Sequence, residues 1–384
     1  MAGLLLLALL TGCGGGYVAP KPSPDVARPN PIGAQQALDR LRGAIDTHSA
    51  SGLQGLEADI ARNARALRVA GFTARYITED DGVGAGGSWT ADVDITWCFA
   101  GFDRSLVRQT VSATFAPAGG GIRITSFGGT DHRVPTWLTG PVSVRRTADT
   151  LVLVAGGERE ADQYARLATN AVTTVRRVLP WPDPRLVFDV PSSEAALESA
   201  LGANPGDYAG VAAVTASVDG SNAADAPVHV FVNPDAIGKL NQQGAQVVLS
   251  HEATHVATGV ALGSPLPEWL LEGFADYVAL RDVPLPLSTT AGQVLRDVRR
   301  NGAPDHLPGT AEFNEHAEDF GEEYEAAWLA NRLLAELGGE QRLVRLYDEV
   351  NAGAPLDPTM RRLFGFGVEA FTRKWQEHLT HLAS

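Results

Sequence analysis

The chain has 384 residues and a formal net charge of −14, with 45 acidic and 31 basic side chains. This length allows two ordinary domains, each with a sizeable core. The acidic balance argues against nucleic acid as a partner. Beyond a short run near the start, no segment is apolar over enough residues to span a bilayer.

The first 13 residues have the pattern of an export signal. An apolar run from Leu4 to Leu10 is too short for a transmembrane helix and fits a signal-peptide core. Leu10, Thr11, Gly12 and Cys13 follow in the order that resembles the bacterial lipobox. The resemblance implies cleavage before Cys13, lipid attachment to that cysteine and an extracytoplasmic protein anchored to the cell membrane. An ordinary secretory signal or a short apolar tail is the alternative.

Residues 14–33 are rich in glycine and proline and predict a flexible linker. With Cys13 lipidated, Cys98 is the second and last cysteine, so no disulfide can form within the mature chain. Cys98 lies in an apolar run and is interpreted as a small core residue.

Residues 34–140 predict a small α+β domain. Apolar residues recur at helical spacing over residues 34–70, and residues 49–52 divide that stretch into two helices. Four strand-like runs follow at 72–78, 88–99, 105–115 and 122–127, which suggests an antiparallel meander. The pattern loosely resembles the cone-shaped domains called NTF2-like. It contains no catalytic constellation, so a structural, spacer or ligand-docking role is expected.

The second domain is predicted at residues 141–384, with the boundary near Gly140. Its first part alternates strands at 142–144, 151–154, 186–190, 210–217 and 228–233 with helices at 160–179 and 193–201. The part after residue 290 is mostly helical, with helices expected at 292–300, 324–337, 341–350, 357–364 and 368–382. The whole chain is therefore expected to be an α+β protein.

A metal-binding pattern lies between these two parts. His251, Glu252 and His255 form the pattern H-E-x-x-H. On an α-helix, residues i and i+4 lie on one face about one turn apart, so both imidazoles can reach one metal ion. Glu252 can take a proton from a water molecule on that metal. A buried helix with two structural histidines is the alternative.

Residues 267–277 predict a second short helix with Glu272 and Asp276 on one face. Glu272 would be a third ligand, which gives a His-His-Glu site with an open position, as in catalytic zinc sites. Asp276 could accept the second N–H of a ligating histidine, with His251 as the expected partner. A solvated acidic face is the alternative, but the apolar neighbours of both residues argue against it.

The two motifs together resemble a known family. H-E-x-x-H followed by P-x-W-L-x-E-G-x-A-x-Y resembles the gluzincin metallopeptidases, in particular the bacterial peptidase-MA-like group. The resemblance covers roughly the second half of the chain and implies one zinc ion bound by His251, His255 and Glu272. It also implies peptide-bond hydrolysis at the cell surface, with Glu252 as the general base and Asp276 supporting a histidine. The interval between His255 and Glu272 is at the short end for gluzincins.

The resemblance also implies an edge strand that lines the substrate cleft and pairs with an extended peptide. The run at residues 228–233, which includes Val230 and Val232, is predicted to be this strand. His229 in the same run is expected to face away from the core or to cap the edge.

A donor for the oxyanion is expected from outside the two ligand helices, since gluzincins usually place a tyrosine or histidine opposite the metal. His306, His316 and Tyr324 are the candidates downstream. Tyr324 is favoured, because residues 324–329 resemble the tyrosine-bearing helix that follows the zinc site in this family. A half-buried tyrosine that only packs its helix is the alternative.

The competing class is a non-catalytic peptidase-like lipoprotein that binds an envelope partner. The presence of Glu252 beside a complete ligand set favours chemistry, because a purely structural site needs no base. The substrate, endo- or exopeptidase action and the oligomeric state stay open at this point.

Overall fold

The computed structural model describes residues 28–79, 82–84, 86–129, 132–313 and 320–384. The predicted signal with Cys13, most of the predicted linker and His316 lie outside these residues. Within them the chain is an α+β protein with thirteen α-helices, one antiparallel sheet and one mixed sheet. No helix in this part of the chain is long and apolar enough to cross a membrane.

The N-terminal unit packs two helices on an antiparallel meander. Its elements are α1 (Pro31–Asp46), α2 (Gly55–Leu67), β1 (Val69–Glu79), β2 (Trp89–Phe99), β3 (Val107–Ala118) and β4 (Gly121–Phe127), with sheet order β1-β2-β3-β4. Strand β2 alternates buried and half-buried residues along its whole length, so one face of the sheet forms the core. Helix α1 begins before residue 34, because the side chain of Asn30 accepts a hydrogen bond from the Gly33 amide.

A five-stranded mixed sheet follows, with helices between its strands. Its elements are β5 (Ser143–Arg146), β6 (Thr150–Val154), α3 (Glu158–Arg176), β7 (Leu186–Val190), α4 (Glu194–Leu201), β8 (Ala213–Ser217) and β9 (Val228–Val232). The order is β5-β6-β7-β9-β8. The three central strands are parallel, and the two outer strands pair antiparallel to their neighbours.

The predicted edge strand is wrong, because β9 lies between β7 and β8. Val230 and Val232 are fully buried, and strand β8 forms the edge instead. The physical reason is that β9 is buried on both faces, which is typical of an interior strand covered on each side. Strand β8 carries the smaller and more polar residues that suit an edge.

His229 is also placed differently from the expectation. Its side chain is fully buried, its Nε2 lies 2.9 Å from Asp103 Oδ1, and its ring stacks on Phe99 at 5.4 Å. Asp103 and Phe99 belong to the N-terminal unit, whose core continues onto this face of the mixed sheet. The N-terminal unit therefore packs against one face of the mixed sheet.

The remaining helices form the second half of the chain. They are α5 (Pro234–Ile237), α6 (Gln242–Thr258), α7 (Glu268–Leu280), α8 (Leu287–Thr290), α9 (Gly292–Asn301), α10 (Phe320–Gly338), α11 (Glu340–Asn351), α12 (Leu356–Phe364) and α13 (Val368–Ala383). Helix α7 packs between α6 and α10, and α13 closes the core through the buried side chains of Phe371 and Trp375. This packing fixes α6 and α7 against each other.

Gly273 allows α7 and α10 to approach closely. A Cβ atom at this position would overlap the carbonyl group of Ala327 and the side-chain amide of Asn331. That amide is buried and donates to the carbonyl oxygens of Trp269 at 2.8 Å and Ala327 at 3.0 Å. The glycine next to Glu272 is therefore required by the helix pair.

We expect Gly273→Ala to lower the free energy of unfolding by about 1–3 kcal/mol, because the added methyl group overpacks this contact. Chemical denaturation measures the change. Gly43→Ala is the matched control: Gly43 lies on the exposed face of α1, where an added methyl group would meet open space, so alanine should leave stability unchanged or raise it. Equal stability of both variants would show that the α7–α10 contact tolerates a side chain.

Candidate metal centre

Two helices bring the predicted ligands together. His251 and His255 lie one turn apart on α6, which ends at Gly259 with a φ of 72°. Glu272 and Asp276 lie one turn apart on α7 and face them. One donor atom from each of His251, His255 and Glu272 falls within 4.8 Å of the others.

The three donor atoms lie close enough together to bind one metal ion. His251 Nε2 lies 2.9 Å from His255 Nε2 and 3.0 Å from Glu272 Oε2, and His255 Nε2 lies 3.4 Å from the same oxygen. Bonds of about 2.0–2.1 Å in a tetrahedral site separate neighbouring ligand atoms by roughly 3.3–3.4 Å. The 3.4 Å separation matches this value, and the separations of 2.9 and 3.0 Å are shorter. A cation at the point where these atoms converge would bind two imidazole nitrogens and one carboxylate oxygen.

Asp276 orients the first histidine. Its Oδ1 lies 2.8 Å from His251 Nδ1, which leaves Nε2 directed at the shared point. Burial alone lowers the pKa of His251, but the carboxylates of Asp276 and Glu272 outweigh it and hold the pKa well above the ordinary value. The same negative field favours a bound cation.

Glu272 is held in its charged form. Burial alone raises the pKa of its carboxyl group, but His255 and His251 together outweigh this effect and hold the pKa far below the ordinary value. A carboxylate that stays charged while it is largely buried is a suitable metal ligand.

Glu252 lies beside the ligands and contacts the edge strand. The hydroxyl of Thr215 on β8 lies 2.7 Å from Glu252 Oε2 and 3.1 Å from the Glu252 carbonyl oxygen. A hydroxyl has one proton, so the shorter contact is the bond that it donates to the carboxylate. Burial raises the pKa of Glu252, and the two histidines and Thr215 oppose that rise. The carboxylate therefore lies in the same cleft as the three ligand residues.

The site opens into a cleft of about 540 Å³ between β8, α6 and α10. Tyr324 lines this cleft, with its ring 6.0 Å from that of His251 and 5.0 Å from that of Phe313. Strand β8 and the residues before it form one wall, from Gly210 to Thr215. The cleft therefore presents a strand edge, a carboxylate and a tyrosine around the three ligands.

The structure brings together His251, Glu252, His255, Glu272, Asp276 and Tyr324. His306 is not part of the group, since it is exposed and pairs with Glu312 at 3.0 Å. Thr215 is the residue that sequence reasoning missed. The sequence feature that could have indicated it is its small polar side chain in the run at 213–217, which is typical of an edge strand. This strand packs next to α6.

Comparison with known proteins does not name the family of this chain. No family model matches it, and no curated protein matches it significantly. The class of protein therefore has to be inferred from the fold and the site.

Proposed function

We propose that this protein is a zinc-dependent peptidase of the gluzincin type. The observation that carries the proposal is the convergence of His251, His255 and Glu272 on one point, with the carboxylate of Glu252 beside it. A structural zinc site is closed by four protein ligands, whereas this set has three and opens into a cleft.

His251, His255 and Glu272 would hold the zinc ion, with Asp276 orienting His251. When bound, zinc supplies a Lewis acid that polarises a carbonyl group and acidifies water. Glu252 accepts the proton of the attacking water and returns it to the leaving amine.

Strand β8 is the proposed binding edge for the substrate backbone. It pairs with β9 on one side, so its other side can pair with an extended peptide. Thr215 on this strand contacts Glu252, so a peptide that lies along β8 passes the general base. This arrangement would place the scissile carbonyl between the base and the ligands.

Thr215 is proposed as a positioning residue for the base. We expect Thr215→Val, which keeps the shape and removes the hydroxyl, to lower kcat roughly 10-fold with little change in KM, because a hydrogen bond to a charged group is lost. Thr215→Ser keeps the hydroxyl and should restore most of kcat. Steady-state kinetics on both variants, at equal zinc content, measure the effect. Equal turnover of the valine and wild-type proteins would remove Thr215 from the mechanism.

Tyr324 is proposed as the donor to the oxyanion. Its ring lies in the cleft beside His251, on α10 and therefore outside the two ligand helices. We expect Tyr324→Phe to lower kcat roughly 10²-fold while zinc content and KM change little. Wild-type turnover in the phenylalanine protein would leave Tyr324 with a packing role only.

A peptide-library digest tests the proposed function. The zinc-loaded protein should cleave peptides, a chelator should stop cleavage, and added zinc should restore it. A protein that binds zinc and cleaves nothing would instead support the non-catalytic class, in which the cleft binds a partner protein.

A further inference from the structure

The cleft has an apolar section next to the ligands. The side chains of Leu240, Val247 and Val248 line it on the α6 side, and Val211 and Ala212 line it before β8. Val247 and Val248 precede His251 by four and three residues, so they lie one helical turn from it on the same side of α6. Leu240 is 41% exposed, although large apolar side chains are usually covered.

The distance between the ligands and this apolar section is similar to the distance between nearby residues of an extended peptide. One helical turn advances about 5.4 Å, and two residues of an extended peptide advance about 6.6 Å. A peptide that has its scissile bond at the ligands and follows the direction of α6 would therefore place a side chain on the apolar section within two residues of that bond.

The charged side chains of the cleft decide whether it can bind the terminal groups of a peptide substrate. Among the described residues that line the cleft there is no lysine or arginine to bind a terminal carboxylate. Its three carboxylates, on Glu252, Glu272 and Asp276, each contact Thr215 or a histidine of the site. With these three assigned as base, ligand and support of His251, the described cleft lining offers no further acidic side chain for a terminal ammonium group.

We infer that the substrates are extended peptides cleaved at an interior bond, with an apolar side chain within two residues of that bond seated against Leu240, Val247 and Val248. This inference rests on the proposed peptidase function and specifies its substrate class. An apolar side chain gains by leaving water on this surface, whereas a charged one would be desolvated without a partner.

The test uses peptides with acetylated amino ends and amidated carboxyl ends, in which each position near the middle is varied. The zinc-loaded wild-type protein should cleave them, and peptides with leucine or valine near the bond should have a kcat/KM at least about 10-fold higher than those with aspartate or lysine. Mass spectrometry of the products locates the bond.

A double variant tests the surface itself. Leu240→Ser with Val247→Thr should reduce the leucine preference to roughly 3-fold or less. Leu240 is exposed and Val247 belongs to neither hydrophobic core, so the fold should persist, which thermal melting checks. Leu337→Ser is the matched control, since Leu337 is 47% exposed and lies outside the cleft. That variant should keep the wild-type preference.

Three results would overturn the inference while leaving the peptidase function intact: cleavage of free-ended peptides alone, a preference for charged residues near the bond, or an unchanged preference in the double variant. Failure of the wild-type protein to cleave any blocked or free peptide would overturn the peptidase function, and this inference with it.

Discussion

Replacing Glu252 by glutamine is expected to lower kcat for peptide hydrolysis by roughly 10³-fold while the protein keeps its zinc. The amide has nearly the shape of the carboxylate and cannot accept the proton of the attacking water, and loss of a general base typically costs 10²–10⁴-fold. Because Glu252 is not among the three converging ligands, zinc content measured by mass spectrometry should stay near one ion per chain.

Glu268→Gln is the control for the loss of a nearby charge. Glu268 is half-buried one turn before Glu272 on α7, and it is absent from both the ligand set and the cleft lining. Its variant should keep most of the activity. A Glu252→Gln protein with wild-type turnover would show that the base lies elsewhere, or that hydrolysis in the preparation comes from a contaminant.

Removing a ligand should have the second large effect. We expect His255→Ala to weaken zinc binding by more than 100-fold, because two donors cannot hold the ion as three do. Asp276→Asn should weaken it by about 10–100-fold, as for a residue that orients a ligand without contacting the metal. Competition with a fluorescent chelator measures both affinities, and activity should fall in the same order.

His306→Ala controls for the general loss of a histidine, since His306 is exposed and does not belong to the ligand group. Its zinc affinity should equal that of the wild type. If His255→Ala retained stoichiometric, tightly bound zinc, His255 would not be a ligand.

The grouping of the candidate ligands was predictable because its geometry is local. The spacing of His251 and His255 places both on one helical face, and the spacing of Glu272 and Asp276 does the same on the next helix. The structure brings these two pairs to within hydrogen-bonding distance of each other. Only the angle between α6 and α7 depends on the rest of the fold, and Gly273 helps to set the position of α7.

The edge strand could not be assigned from chain order. Strand β9 is the last strand before α6, so chain order predicts it to be the edge strand. In the sheet, however, β8 lies at the edge beside β9. The spatial order of strands depends on which faces are covered, and the N-terminal unit covers one face of β9 through the buried contact of His229 with Asp103. These two residues are 126 positions apart, so no local pattern relates them.

The most direct test of the central claim is zinc-edge X-ray absorption on the purified, zinc-loaded full chain. We predict that the zinc is bound by two histidine nitrogens at about 2.0–2.1 Å and by oxygen atoms of Glu272 and water at about 2.0–2.2 Å, with no sulfur. In the His255→Ala protein the histidine contribution should fall by half or the zinc should be lost. A shell containing sulfur or oxygen alone, or an unchanged spectrum in that variant, would contradict the assignment of the metal centre.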